Sequence, residues 1–215
     1  IRDRANIDGD NTATNHDSAT QVNVLGDNEA HNNDIADQSN IVGDNVAADN
    51  GVAAQANVDG DNIAVHNDVA VQTNVDGENV AVGNEIAVQD NDGGANVAID
   101  NGIVDQTAED SVQLAVANDS VSQDGEGNIN IAIDNGDATQ GGEGNINVSV
   151  GNDVVNQGGQ DNRNLSVGDT ESDTVNLDGS NNRIHTDTHD GDDTVNIGGN
   201  DNRGVVNTGS GDDTI

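Results

Sequence analysis

Carboxylates are the side chains with which this sequence could do chemistry. Asp and Glu number 41 of the 215 residues, against 5 Lys and Arg, and the formal net charge is −36 at pH 7. The chain has no Cys, which excludes thiolate nucleophiles and thiolate zinc sites. The five His share no common spacing. We therefore predict that the protein is not an enzyme, and that it does not bind nucleic acid, because phosphate binding needs Lys and Arg.

Some of these acids recur at a fixed 17-residue spacing, as in Asp10, Asp27, Asp44, Asp61 and Glu78. If successive segments of the chain stack, these carboxylates form a column and repel one another by roughly 1 kcal/mol per pair even in water. Hard oxygen ligands of this kind are what Ca²⁺ prefers. Two interpretations stay open for the column: it binds divalent cations, or it only keeps the surface soluble.

The elements that position the acids belong to an internal repeat. Nine 17-residue units fit without a gap between Asn6 and Gly158. With Asn6 as position 1, position 16 is Gln in all nine units, and position 6 is Asn in eight with Gln113 in the ninth. After Gly159 and Gln160 the repeat changes to a 20-residue spacing. We predict one part over residues 1–158 and a second part over 159–215 that continues the same solenoid.

The repeat unit predicts an all-β fold, a parallel β-solenoid. Positions 6–9 and 13–16 alternate and are rich in Val and Ile, as in unit 57–73. Gly at position 4 tolerates a positive φ, and Asn67-Asp68 supplies a second turn, since Asn is the next best residue there. We predict two short strands per 17-residue coil, coils stacked at ~4.8 Å, and then about three 20-residue coils.

The invariant amides predict side-chain ladders inside this solenoid. Identical Gln or Asn side chains on successive coils hydrogen-bond along the axis, which satisfies amides that would be costly to bury alone. Position 14 is always Ala or Val, so positions 14 and 16 are predicted to point inward. For the Asn at position 11, a role in the turn is favoured over a buried ladder. The predicted ladder residues are Gln21, Gln38, Gln55, Gln72, Gln89, Gln106, Gln123, Gln140, Gln157, Asn62, Asn79 and Asn96.

The sequence leaves open which side chains of the first strand in each unit face inward. Positions 7 and 9 include Glu29 and His31, which suits an outer face, yet from Val80 to Val150 all ten residues at these positions are apolar. They form either the core opposite position 14 or an exposed stripe. An exposed stripe of that length would exceed the few hundred Å² typical of a monomer and would imply a partner.

Across about 6–158, the pattern Q-x-N-V-x-G-x-N-x-A…A-x-Q resembles the curlin repeat of bacterial functional amyloids. That family combines Gly, Asn-x-Ala and Gln in a two-strand coil with internal amide ladders. The resemblance implies secretion, extracellular assembly, and a role in a biofilm or at a surface.

The end of the chain carries a second resemblance. Residues 209–215, GSGDDTI, and residues 191–195, GDDTV, look like the G-x-G-x-D-x-U core of calcium-binding β-roll (RTX) nonapeptides. This resemblance implies Ca²⁺ as the cofactor, with the strongest sites around the two Gly-Asp-Asp runs. The metal-binding residues expected from it are Gly191, Asp192, Asp193, Gly211, Asp212 and Asp213.

Together these patterns predict a secreted structural protein that assembles into an extracellular fibre or a surface or biofilm matrix. Its expected partner is itself, either laterally through the Val and Ile stripe or end to end, because residues 213–215 repeat the start of earlier strands. No apolar run approaches the ~20 residues of a membrane span, so no membrane insertion is expected. The alternative is a passive stalk or adhesin segment of a larger cell-surface protein.

Overall fold

The computed structural model describes residues 2–215, which form β-strands and turns with no helix. The chain divides into two compact units: unit 1 ends at Asp105, and unit 2 is Gln106–Ile215. Unit 1 contains β1 Arg2–Ala5, β2 Asn11–Thr14, β3 Ser18–Val22, β4 Asn28–His31, β5 Ile35–Ser39, β6 Asn45–Ala48, β7 Val52–Ala56, β8 Asn62–Val65, β9 Val69–Asn74, β10 Glu78–Val82, β11 Ile86–Asp92 and β12 Ala95–Ile99. Strand β13, Ile103–Glu109, contains the boundary, and unit 2 continues with β14 Val112–Val116, β15 Ser120–Glu126, β16 Ile129–Ile133, β17 Asp137–Gln140, β18 Ile146–Val150, β19 Val154–Gln157, β20 Arg163–Val167, β21 Thr174–Leu177, β22 Arg183–Asp187, β23 Thr194–Ile197 and β24 Arg203–Asn207.

Unit 1 is a parallel β-solenoid, as the repeat predicts. Its odd-numbered strands form one parallel sheet and its even-numbered strands form another. Partners lie one repeat apart: Val52 pairs with Val69 in the odd sheet, and Asn62 pairs with Asn79 in the even sheet. Each 17-residue coil therefore places one strand in each sheet, and every residue lies beside the residue at the same repeat position.

Unit 2 has the same two-sheet construction, with a change of spacing inside it. Ile146 pairs with Arg163 at the 17-residue spacing, whereas Arg163 pairs with Arg183 at the 20-residue spacing. In the odd sheet, β19 pairs with β21 at the longer spacing, with Val154 opposite Thr174. The three extra residues therefore enter the turn between β20 and β21, and the strands themselves keep their length and direction.

The core consists of small side chains and amides. At positions 8 and 14, Ala47, Ala53, Ala64 and Ala70 are completely buried, and no aromatic residue exists in the chain to fill the interior. Positions 7 and 9 of the first strand face outward, so the stripe of Val and Ile is exposed or half-buried. The exposed-stripe interpretation is therefore correct, and the core opposite position 14 is made of Ala and Asn.

The predicted Gln ladder lies inside the solenoid. The Nε2 of Gln72 donates to Oε1 of Gln55 at 3.0 Å and to the carbonyl oxygens of Asn62 and Val80 at 2.8 and 2.9 Å. Its own Oε1 accepts from Nε2 of Gln89 at 2.9 Å. A completely buried amide is thus satisfied by the coils on both sides.

The Asn ladder of the even strands is also present, and it points the other way. Asn62 donates from Nδ2 to Oδ1 of Asn79 at 3.0 Å, and Asn79 donates to Asn96 at 3.0 Å. These amides donate towards higher residue numbers, whereas each Gln donates towards lower numbers. The dipoles of the two ladders therefore oppose each other along the axis.

The turn-only role favoured for Asn at position 11 is wrong. Asn67 is 2 % exposed. Its Nδ2 donates to Oδ1 of Asn84 at 3.1 Å, and its backbone N–H donates to the same oxygen at 2.9 Å. The side chain completes a third buried ladder while its backbone forms the turn, so one residue type serves both needs.

The assignment of the positive-φ residue in this turn is also corrected. The residue with φ near +50° is at position 10, for example Asp49 or His66, and not the Asn that follows. At the other turn, Gly77 does have a positive φ, and a Cβ there would lie 2.2 Å from the carbonyl oxygen of Gly60. At Gly77, glycine is therefore required by the close approach of the coil before it as well as by φ.

The ladders end inside unit 2, where the core becomes apolar. Leu177 replaces Gln opposite Gln157, and Ile184 replaces Asn opposite Asn164. Oε1 of Gln157 and Nδ2 of Asn164 are buried without a hydrogen-bond partner, because the next coil offers an aliphatic side chain. From this point Leu177 and Ile184 pack in a cluster with Val155, Val175 and Val195.

We expect Gln72→Leu to destabilise the protein by about 2–4 kcal/mol, because Leu leaves several buried ladder and carbonyl groups of neighbouring coils without a partner. Chemical and thermal denaturation followed by circular dichroism measure the change. Val71→Thr, next to it on the exposed face, is the control and should cost less than about 0.5 kcal/mol. Equal stability of the two variants would show that the ladder does not support the fold.

Candidate functional site

The amide column gives way to buried carboxylates in the 20-residue coils. Asp173 and Asp193 are 3 % and 1 % exposed. Oδ1 of Asp193 accepts the backbone N–H of Asp173 at 2.9 Å, and Oδ1 of Asp213 accepts the N–H of Asp193 at 3.1 Å. These bonds resemble the backbone bonds made by the Asn at position 11, but a carboxylate has no N–H to pass along a ladder.

Asp193 and Thr188 both contain a buried oxygen without a partner. Oδ2 of Asp193 and Oγ1 of Thr188 make no hydrogen bond. Burying a carboxylate oxygen without a partner is costly, so a cation beside Oδ2 of Asp193 would offset that cost.

Asp173 is the group whose pKa is displaced at this site. Its pKa rises from 3.8 to about 6, because burial disfavours the charged form and the carboxylates of Asp169, Asp193 and Asp153 add repulsion. A hydrogen bond from the backbone N–H of Asp169 to Oδ2 at 3.2 Å acts in the opposite direction. Asp173 therefore holds a proton at a pH where an unperturbed Asp has lost it.

The other residues predicted to bind Ca²⁺ lie in the exposed turns of the tail. Oδ1 of Asp192 accepts the backbone N–H of Asp212 at 2.9 Å, and both side chains are exposed. A Cβ at Gly191 would lie 2.2 Å from the carbonyl oxygen of Glu171. Within residues 2–215, no group of three or more His, Asp or Glu side chains is arranged to hold a metal ion. A cation at Asp193 would need hydroxyl or carbonyl oxygens as its other ligands.

The acid column of unit 1 has a structural role that the sequence did not indicate. Oδ1 of Asp27 accepts the backbone N–H of Asp44 at 3.0 Å, and Oδ1 of Asp44 accepts the N–H of Asp61 at 2.9 Å. Each carboxylate thus fixes the turn before the even strand of the next coil. Cation binding and solubility stay predictions for this column.

Two further surfaces of unit 2 differ in character. Glu109, Glu126 and Glu143 line an acidic recess of about 470 Å³. On the outer face of the even sheet, Ile129 and Ile146 are each 40 % exposed. One surface suits cations and the other suits an apolar partner.

We expect Asp173→Asn to raise the melting temperature at pH 7.5 more than at pH 4. Because the pKa of Asp173 is raised, the folded state binds more protons than the unfolded state between pH 3.8 and about 6. The contribution of this group to stability is therefore fully present below pH 3.8 and is lost as the pH rises through about 6. Asn carries no charge, so the variant does not lose this stability as the pH rises.

Differential scanning calorimetry of Asp173→Asn at the two pH values measures the effect. Glu171→Gln, an exposed neutralisation two residues away, is the control and should change the melting temperature equally at both. A difference between Asp173→Asn and the parent chain that does not depend on pH would contradict the assignment.

Within residues 2–215, the structure contains no helix long and apolar enough to cross a membrane. No protein-family model, curated protein or solved structure matches this chain.

Proposed function

We propose that this protein is a structural component of an extracellular fibre or surface matrix, in which copies of the β-solenoid associate side by side. One observation carries the proposal: Val and Ile side chains form in-register columns on the outer face of the even sheet in both units. These side chains are half-buried or exposed, and a contiguous apolar surface is typical of an interaction site.

In unit 1 these columns include Ile63, Val80 and Val97 at position 7, which pair in register. In unit 2, Leu114, Ile131 and Val148 occupy the same position. β-branched side chains on a regular, pre-ordered sheet lose little entropy when a partner covers them. A regular surface of this kind suits a structural protein with many identical contacts.

The net charge of −36 opposes this association, so screening by salt or by Ca²⁺ should promote it. The unpartnered oxygens of Asp193 and Thr188 support Ca²⁺ as the cation of the tail, because both are oxygen ligands of the kind it prefers. The resemblance of the tail to RTX repeats points to the same ion. Bound Ca²⁺ would neutralise a buried carboxylate and stabilise the last coils.

We expect the protein to form large particles in millimolar Ca²⁺ at physiological salt, and the double variant Val80→Thr, Val97→Thr to form fewer. Thr keeps the β-branched shape and the strand preference while adding a hydroxyl to the outer face. Sedimentation velocity and electron microscopy measure the outcome. The matched control is Val71→Thr with Val88→Thr, both exposed on the odd sheet, which should associate as the parent does. A parent chain that stays monomeric at high concentration would leave the passive stalk as the better interpretation.

We expect Ca²⁺ to raise the melting temperature of the parent chain by mass action, and Asp193→Asn to abolish that rise. Asn retains Oδ1 for the backbone N–H of Asp173 and removes the charge that would bind the cation. Calorimetry in excess chelator and in millimolar Ca²⁺ measures the difference, with Glu171→Gln as the control that should still respond. An unchanged melting temperature of the parent between chelator and Ca²⁺ would refute Ca²⁺ binding.

A further inference from the structure

Position 5 of the repeat, which opens or immediately precedes each even-numbered strand, differs in charge between the two units. In unit 1 it is acidic on five successive coils. In unit 2 it is aliphatic on three coils and then Arg on three, and these six residues pair in register as one outward column. The acid column is Asp10, Asp27, Asp44, Asp61 and Glu78, and the Arg column is Arg163, Arg183 and Arg203.

The Arg column makes no ion pair with the part of the chain that the structure describes. Arg163, Arg183 and Arg203 are exposed, and they are three of the five cationic residues in the sequence. The ion pairs found among residues 2–215 are His66 with Asp49 and His189 with Asp187, so none involves these three Arg. Like charges stacked at ~4.8 Å repel one another, and an opposite column of charge outside the chain would relieve that repulsion.

The acid column of unit 1 has the opposite charge and a regular spacing. The backbone N–H of Asp61 donates to Oδ1 of Asp44 at 2.9 Å, and the N–H of Glu78 donates to Oδ1 of Asp61 at 2.9 Å. These hydrogen bonds fix the carboxylates at the spacing of the coils. The side chains of Asp10, Asp27 and Glu78 are exposed, and those of Asp44 and Asp61 are half-buried. The carboxylates are therefore held at the coil spacing before any partner arrives.

We propose that the Arg column of unit 2 binds the acid column of unit 1 in a second copy of this chain. Both columns follow the same coil spacing, so three guanidinium groups meet three carboxylates without rearrangement of either backbone. The planar guanidinium matches a carboxylate with two parallel hydrogen bonds. This pairing rests on the self-association proposed above and specifies which surfaces meet.

Apolar side chains beside each column extend the contact. In unit 2 the Arg column borders a shallow recess of about 380 Å³ lined by Ile146, Val148 and Leu165. In unit 1 the last three acids of the column have Val46, Ile63 and Val80 two residues further along. When these apolar columns meet, water leaves the contact and the neighbouring ion pairs strengthen. The charges then set the register of a contact that apolar burial stabilises.

The test uses a variant that lowers the general repulsion between copies but removes the proposed ion pairs, so the two effects change association in opposite directions. In the triple variant Asp27→Asn, Asp44→Asn, Asp61→Asn, each Asn keeps the Oδ1 acceptor, and the net negative charge falls by three. General repulsion between copies would weaken, yet this pairing predicts a dissociation constant about tenfold higher than that of the parent. The matched control is Asp34→Asn, Asp68→Asn, Glu85→Gln, which changes the net charge equally at exposed positions of unit 1 and should associate at least as well as the parent.

A second variant, Arg163→Gln, Arg183→Gln, Arg203→Gln, completes the experiment. Each triple variant should associate weakly alone, and an equimolar mixture should recover association, because one partner retains the acid column and the other retains the Arg column. Analytical ultracentrifugation measures all samples, with circular dichroism to confirm that each is folded. If the parent associates and the Asp variant matches its control, or if the mixture shows no recovery, this pairing is wrong and self-association stands. If the parent itself does not associate, both proposals fall.

Discussion

The structure depends on one constraint: each residue lies against the residue at the same position of the next coil, about 4.8 Å away. A polar side chain is therefore satisfied inside most readily when it can hydrogen-bond to a copy of itself. Gln and Asn meet this condition because each amide has a donor and an acceptor. The core can then be polar and made of small residues, without the large aliphatic or aromatic side chains that usually offset chain entropy.

The same constraint explains where the interior changes. An amide ladder cannot stop without leaving an atom unsatisfied, and this happens at Gln157 and Asn164, where Leu177 and Ile184 follow. Gln113 has a similar consequence. It is longer than Asn, it bonds to the carbonyl oxygen of Asp124 instead of to the next coil, and its Oε1 is left unpartnered. Such breaks are tolerated because the backbone bonds of the sheets continue through them.

The solenoid and its Gln ladder could be predicted because they follow from periodicity alone. The burial of Asn67 could not, because a turn Asn and a ladder Asn give the same column in the sequence. Whether the Val80 side chain faces inward or outward was ambiguous for a related reason, because apolar residues flank the inward Ala on both sides. The sequence showed the acid column but not its structural role, since the hydrogen bond that the backbone N–H of Asp61 donates to Oδ1 of Asp44 depends on the geometry of the turn.

Because the ladders satisfy the interior independently of the outer face, the outer columns can carry either charge without a cost to the core. Asp44 and Arg163 both occupy position 5 of the repeat, and neither disturbs the amides one residue further along the chain. Asp193 is different, since its carboxylate is buried. A charge outside the ladder leaves the interior unchanged, whereas a buried charge also changes how stable the fold is. The raised pKa of Asp173 therefore links the stability of the tail to pH.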